Sequence, residues 1–193
     1  MNIHNELLAL SEAKGKNLFG LTINDKKITK QTPSEPWPGD FYCYYNQSTS
    51  LEFCPKEVGG DFYCHNNQRT SLEFCPKEVG GYFDCSNNKL TSLEFCPKEV
   101  GGNFYCSSNK LTSLADIHKR LKKMDGIFYA YNNPIKSNVI GLMLVAGCNE
   151  VQLDNKEVQN IMNNHLPNTR GHLGLLECQE DLLSAGFEEW AEL

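Results

Sequence analysis

Long apolar runs are missing from this 193-residue chain. The longest candidate, Val139 to Gly147, has nine residues, whereas a helix that spans a bilayer needs roughly 20. An integral membrane protein is therefore not expected. The opening residues, Met1-Asn2-Ile3-His4-Asn5-Glu6, lack the basic start and continuous apolar core of a signal peptide, so the expected location is the cytoplasm. A positive excess is missing as well: 18 Lys and Arg stand against 24 Asp and Glu. Residues 171–193 hold six of the acids and no Lys or Arg, which leaves the first 170 residues neutral, 18 against 18. A neutral body with an acidic end lacks the concentrated basic surface that phosphate backbones require, so nucleic acid is not an expected partner. No Cys-x-x-Cys pair, phosphate-binding loop, nucleophile elbow or Gly-rich dinucleotide turn occurs, which removes the usual sequence signatures of zinc, nucleotide and hydrolase chemistry.

What is present is a repeat. Ser50-Leu51-Glu52-Phe53-Cys54-Pro55-Lys56-Glu57-Val58-Gly59-Gly60 recurs unchanged at 71–81 and 92–102, a period of 21 residues. Each copy is followed by Phe-x-Cys-x-x-Asn, at 62–67, 83–88 and 104–109, and one more such segment starts at Phe41. Side chains alternate along a strand, so Phe62 and Cys64 share one face while Tyr63 and His65 take the other. Asn67 suits a turn in which its amide bonds unpaired backbone. Leu72, Cys75 and Val79 complete an apolar interior, and Gly80-Gly81 permits a tight return. No unit buries its own apolar face; stacking units makes one continuous core.

The consensus Phe-x-Cys-x-x-Asn-x-Leu-x-x-Leu-x-x-Cys-Pro-x-x-Val resembles a leucine-rich repeat of the short Pro-containing bacterial type found in effectors of enteric pathogens. Phe and Cys replace aliphatic residues, and the Gly-Gly pair adds about one residue to the unit. The chain is also similar to uncharacterised bacteriophage repeat proteins, including the stretch from Leu175 to Leu183. The resemblance implies an α/β solenoid with a parallel sheet on its concave face and a protein-binding role. If a phage source holds, it further implies inhibition or redirection of a host defence protein. The ubiquitin-ligase domain of some such effectors is far larger than the residues left here, so that activity does not carry over.

About seven rungs are expected. The outer ones include Leu21-x-Ile23-x-x-Lys26-x-Ile28, the segment from Phe128 to Ile135, and a last strand over 151–158. Trp37-Pro38-Gly39 takes the place of Val58-Gly59-Gly60. Leu114 to Met124 has helical spacing, with Leu114, Ile117, Leu121 and Met124 on one face. The organisation expected is an amphipathic capping helix within 1–17, the solenoid over 18–158, and a helical cap over 159–193. Helices are read at 156–165 and 172–192, the second with Leu173, Leu176, Leu183, Phe187 and Trp190 on its apolar side.

Two cysteine ladders, Cys43, Cys64, Cys85, Cys106 and Cys54, Cys75, Cys96, fall where a solenoid buries aliphatic residues and read as packing. With a cytoplasmic location expected, the thiols are expected to be free. Cys148, His165, His172 and Cys178 in the C-terminal part are further metal or nucleophile candidates, at spacings that match no zinc site. Acids flanking Cys178 disfavour its thiolate. No metal, cofactor or catalytic residue is assigned. Outward strand positions carry a different signal: one column reads Tyr42, Tyr63, Asp84, Tyr105, Tyr129, and the next reads Tyr44, His65, Ser86, Ser107, Tyr131. Core packing does not ask for tyrosine there, whereas recognition surfaces favour it. The alternative is that aromatic residues simply favour strands and stack along the ladder. The partner-binding candidates are Tyr42, Tyr44, Tyr63, His65, Asp84, Tyr105, Tyr129 and Tyr131. The expected function is non-enzymatic binding of a protein. The alternatives are a structural or assembly component, for instance of a virion, and a small metal- or cysteine-dependent enzyme.

Overall fold

A computed structural model describes residues 36–45, 49–52, 54–166 and 172–193, together with the short strands β1 (Thr22–Ile23) and β2 (Lys26–Lys27). The expected N-terminal capping helix lies outside these residues. From residue 36 onward the chain winds as a parallel solenoid of about five turns with a period of about 21 residues.

Each turn contributes two short strands, one on either side of its Gly-Gly corner. The Phe-x-Cys segments supply β3 (Phe41–Tyr42), β5 (Phe62–Tyr63), β7 (Phe83–Asp84) and β9 (Phe104–Tyr105); the Glu-Val pairs supply β4 (Glu57–Val58), β6 (Glu78–Val79) and β8 (Glu99–Val100). Both rows are parallel and in register, so that Phe41, Phe62, Phe83 and Phe104 stand above one another, as do Val58, Val79 and Val100. A seven-residue strand, β10 (Lys123–Tyr129), joins the rows by pairing with β8 at one end and β9 at the other; β11 (Ala146–Gln152) then pairs with β10. Trp37 bridges to Val58, and Gly59 and Gly60 donate to the Trp37 and Gly39 carbonyls, so Trp37-Pro38-Gly39 takes the expected place.

The Gly-Gly corners repeat for a steric reason. A Cβ on Gly80 would collide with the Gly59 carbonyl oxygen, and one on Gly101 with that of Gly80. Only hydrogen fits where successive turns approach this closely.

Several expected boundaries move. Of the rung expected over 21–28, the described residues do not join the array: β1 pairs with β2 antiparallel in a sheet of its own. The helix expected over 114–124 shrinks to α1 (Ile117–Arg120), because Met124 is claimed by β10 and stays buried there. The apolar run 139–147 yields a 3-10 turn (Ile140–Leu144), buried except at Leu144, in place of a Pro-containing one, so the last strand is β11, which overlaps the expected 151–158 only at Val151 and Gln152. Asn155 caps α2 (Lys156–His165) by accepting from the Glu157 and Val158 amides at 3.1 Å.

Helix α2 closes the solenoid. Asn163 bonds both backbone groups of Val151, at 2.8 and 3.0 Å, and Gln159 accepts from Leu153 N–H at 2.9 Å; side-chain amides thus pair the outer edge of β11. Helix α3 (His172–Ser184) packs behind it through Cys178 and Leu182. The apolar stripe is a correction: Leu173, Leu176 and Leu183 are exposed. The helix stops at Ser184, Gly186 turns the chain at φ 79°, and Phe187 and Trp190 reach the core from a separate 3-10 turn (Glu188–Trp190). A helical projection carried through to 192 therefore picks the wrong side.

Candidate functional site

The strand face rests on an interior of phenylalanines, thiols and one buried amide per turn. Phe41, Phe62, Phe83, Phe104 and Phe128 run as a stack with centroid spacings of 4.9–5.7 Å. All nine cysteines are buried free thiols. Burial pushes Cys64, Cys75, Cys85 and Cys106 well above the usual thiol range and Cys96 to about 12, so both ladders act as small apolar side chains.

Asn88 shows what the repeated asparagine does. Its Nδ2 donates to the carbonyls of Cys64, Cys85 and Ser86 at 3.0–3.2 Å, and its Oδ1 accepts from Arg69 N–H at 3.1 Å. Asn67, Asn109 and Asn133 make the same kinds of donation. Each amide ties two turns together and satisfies carbonyls that the corner leaves unpaired. One residue breaks the interior pattern: Arg69 stands where later turns have Leu90 and Leu111, and it is fully buried. Its guanidinium donates to the Cys64 and Cys43 carbonyls, and its Nε has no partner.

On the outer side the first predicted column forms as read, and the second does so except at Ser107, which is buried. Tyr42, Tyr44, Tyr63, His65, Asp84, Tyr105 and Tyr129 are half-buried, and Tyr131 is exposed. The rings stack: Tyr42 on Tyr63 at 5.3 Å, Tyr44 on His65 at 4.7 Å, and Tyr105 on Tyr129 at 4.7 Å, each pair within 7° of parallel. A third column, which sequence reasoning missed, holds them. Asp40 Oδ1 accepts from Asp61 N–H at 2.8 Å while its Oδ2 accepts from the Tyr42 hydroxyl at 2.9 Å; Asp61 repeats this with Tyr82 N–H and the Tyr63 hydroxyl at 2.6 and 2.7 Å. Asn103 accepts from Ile127 N–H at 2.9 Å and donates to the Tyr105 hydroxyl at 2.8 Å. Burial first, and then the adjacent carboxylate, pushes the Tyr42 hydroxyl up to about 12 and raises that of Tyr63 further. Tyr42, Tyr63 and Tyr105 are therefore pre-ordered, with their hydroxyls bonded and their rings partly exposed. The Asp-Phe-Tyr order was visible in the sequence and is the signal that could have found the third column.

The third turn inverts that order. Asp40-Phe41-Tyr42 and Asp61-Phe62-Tyr63 give way to Tyr82-Phe83-Asp84, which puts a carboxylate into the tyrosine column and moves a ring to the neighbouring one. Tyr82, missed by the sequence reading, is 44% exposed and meets Tyr105 edge-on at 6.0 Å. Asp84 Oδ1 accepts from Ser86 N–H at 2.9 Å, and its Oδ2 stands 3.1 Å from His65 Nδ1, off the line of a hydrogen bond. Tyr45, also missed, is exposed beside His65. The turn side presents Phe74 and Phe95 to solvent, in a column that becomes Asp116 in the next turn.

Among the described residues, Cys148, His165 and Cys178 are each engaged separately. Cys148 lies on β11 with its thiol directed at the Glu150 carbonyl, Cys178 packs against Met162 Sδ at 3.6 Å, and His165 Nε2 meets Asp181 Oδ2 at 2.9 Å. The His172 side chain lies outside the described residues. Among the described residues no three His, Cys, Asp or Glu side chains come together to hold a metal, and no helix is long and apolar enough to cross a membrane. No known family, curated protein or solved structure matches the chain.

Proposed function

We propose that this chain is a non-enzymatic binding module of leucine-rich-repeat type that engages a protein partner through its tyrosine-bearing strand face. One observation carries the reading. Within a chain whose turn side is copied unchanged three times, the strand face varies from turn to turn and carries stacked, hydroxyl-anchored tyrosines whose rings are accessible. Rings fixed before binding lose little entropy on contact, which is what makes tyrosine effective in recognition. The resemblance to phage repeat proteins makes a host defence protein the favoured partner, held or blocked by occupancy.

The test is capture from host lysate by the wild type and by the Tyr63→Ala, Tyr105→Ala double variant, with thermal unfolding confirming that both are folded. Proteins captured by the wild type are expected to be lost from the variant. Identical captured sets would overturn the assignment.

A second reading, a structural or assembly component, is favoured by Leu173, Leu176 and Leu183, which α3 leaves exposed. Light scattering that shows a monomer at high concentration would remove it.

A further inference from the structure

We infer that the Asp84 position is a slot for an arginine side chain of the partner, held between the faces of Tyr63 and Tyr105 with its guanidinium on the Asp84 carboxylate. The inference rests on the strand-face reading above and names the chemistry that face selects.

Four observations converge on it. First, the aromatic column is interrupted once. Tyr42 and Tyr63 stack on one side, Tyr105 and Tyr129 on the other, and Asp84 sits between Tyr63 and Tyr105 in register with both. Two parallel strand spacings separate the flanking rings by about 10 Å, so a flat group inserted midway lies about 5 Å from each, within the range of a cation over an aromatic face. Second, Asp84 lacks the tyrosine hydroxyl that Asp40 and Asp61 each bind. It has one amide donor, from Ser86, and the His65 contact, whereas an ionised carboxylate offers about four acceptor sites. Capacity therefore remains for a forked donor. Third, the ring displaced by the Tyr82-Phe83-Asp84 inversion stands at the rim, 44% exposed and edge-on to Tyr105. Beside the slot the second column is small, Ser86 and Ser107, and the Ser107 hydroxyl is buried without a hydrogen-bond partner. Fourth, the strand side carries charge of one sign only. The strand-side segments 40–46, 61–67, 82–88, 103–109, 126–133 and 147–154 contain Asp40, Asp61, Asp84, Glu150 and Asp154 and no Lys or Arg. The turn side carries both signs, with exposed Lys56, Lys77 and Lys98 beside exposed Glu52, Glu57, Glu73, Glu78, Glu94 and Glu99.

A planar, delocalised cation satisfies all four at once: it stacks on both rings and offers a fork to the carboxylate, which a lysine ammonium does not. An anionic or purely aliphatic side chain would desolvate Asp84 and leave its spare acceptor sites unfilled, which is unfavourable.

The test uses N-acetyl-argininamide as a probe, titrated into isotopically labelled full-length protein and followed by amide chemical shifts. Saturable shifts are expected at Tyr63, Asp84, Ser86 and Tyr105. Binding should be about tenfold weaker for the neutral citrulline analogue and weaker for the lysine analogue. Asp84→Asn should weaken the arginine probe by about tenfold. Asp84→Tyr, which restores the residue found in the neighbouring turns, should abolish binding with the fold intact. Equal binding of the arginine and citrulline probes, shifts that persist in Asp84→Tyr, or shifts confined to the acidic C-terminal helix would each overturn the slot. Its failure is distinct from failure of the binding reading. Capture that depends on Tyr63 and Tyr105 but not on Asp84 removes the slot alone, whereas capture indifferent to both tyrosines removes the interface with it.

Discussion

The turn side and the strand side of each repeat are built from the same period yet tolerate change very differently. On the turn side, the eleven residues from Ser50 to Gly60 recur twice without a substitution, and stacking explains much of it: Val and Cys fill the core, and glycine alone fits beneath the carbonyl of the preceding turn. On the strand side only the inward Phe and Cys and the closing Asn are held, while outward positions pass from Tyr to Asp and from His to Ser. Repetition in this molecule marks where one turn must fit the next. Departure marks either chemistry turned outward, as at Asp84, or a defect turned inward, as at Arg69.

The comparison is broken most severely at the corner. Gly80→Ala drives a methyl into the Gly59 carbonyl, and a loss of about 3 kcal/mol or more is expected in urea unfolding. A tolerated substitution would mean that the turns are not stacked this closely. Next is the amide ladder. Asn88→Ala removes three donations to carbonyls and one acceptance from Arg69 N–H, and about 3 kcal/mol should be lost. Cys85→Ser places a hydroxyl in the central core and should lose about 2 kcal/mol, whereas Ala or Val should be milder. Equal tolerance of all three would place Cys85 outside the interior.

Repairing the inward departure should do the opposite. The Cys43 and Cys64 carbonyls that Arg69 contacts also accept from Asn67, so Arg69→Leu leaves them paired. It removes a buried cation that has no carboxylate partner among the described residues and matches Leu90 and Leu111. A gain of about 1–2 kcal/mol is expected in the same unfolding measurement; a loss would show that the arginine is compensated within the core.

The smallest effect is alkaline. Tyr42 is held protonated by burial and by its bond to Asp40, so its hydroxyl ionises later in the folded than in the unfolded chain. This stabilisation is fully present below about pH 10 and is lost as pH rises through about 12. Tyrosinate absorbance should show two or more tyrosines ionising late in the native protein and normally in urea. Uniform titration in both would mean that the third-column carboxylates do not hold the hydroxyls.

Legibility followed locality. The Phe-x-Cys strands, both outward columns apart from Ser107, the packing role of the thiols and the helix 156–165 could be read because each depends on alternation, a 21-residue repeat or a nearby cap. The stripe on α3 could not be read, because the burial of Cys178 depends on Met162 of another helix. The rung at 21–28 failed because strand spacing alone does not say whether a segment pairs with the array or with itself, as β1 and β2 do.

The repeat alone determined that this chain stacks parallel strands with Phe and Cys inward and Tyr outward, since side-chain alternation and a conserved period leave few other ways to bury its apolar face. Only the folded molecule decided which residues share a column across turns. Asp84 became a gap between two stacked ring pairs, and Arg69 a cation sealed among thiols. Both outcomes depend on neighbours 21 residues away, brought into contact by register and not by sequence adjacency.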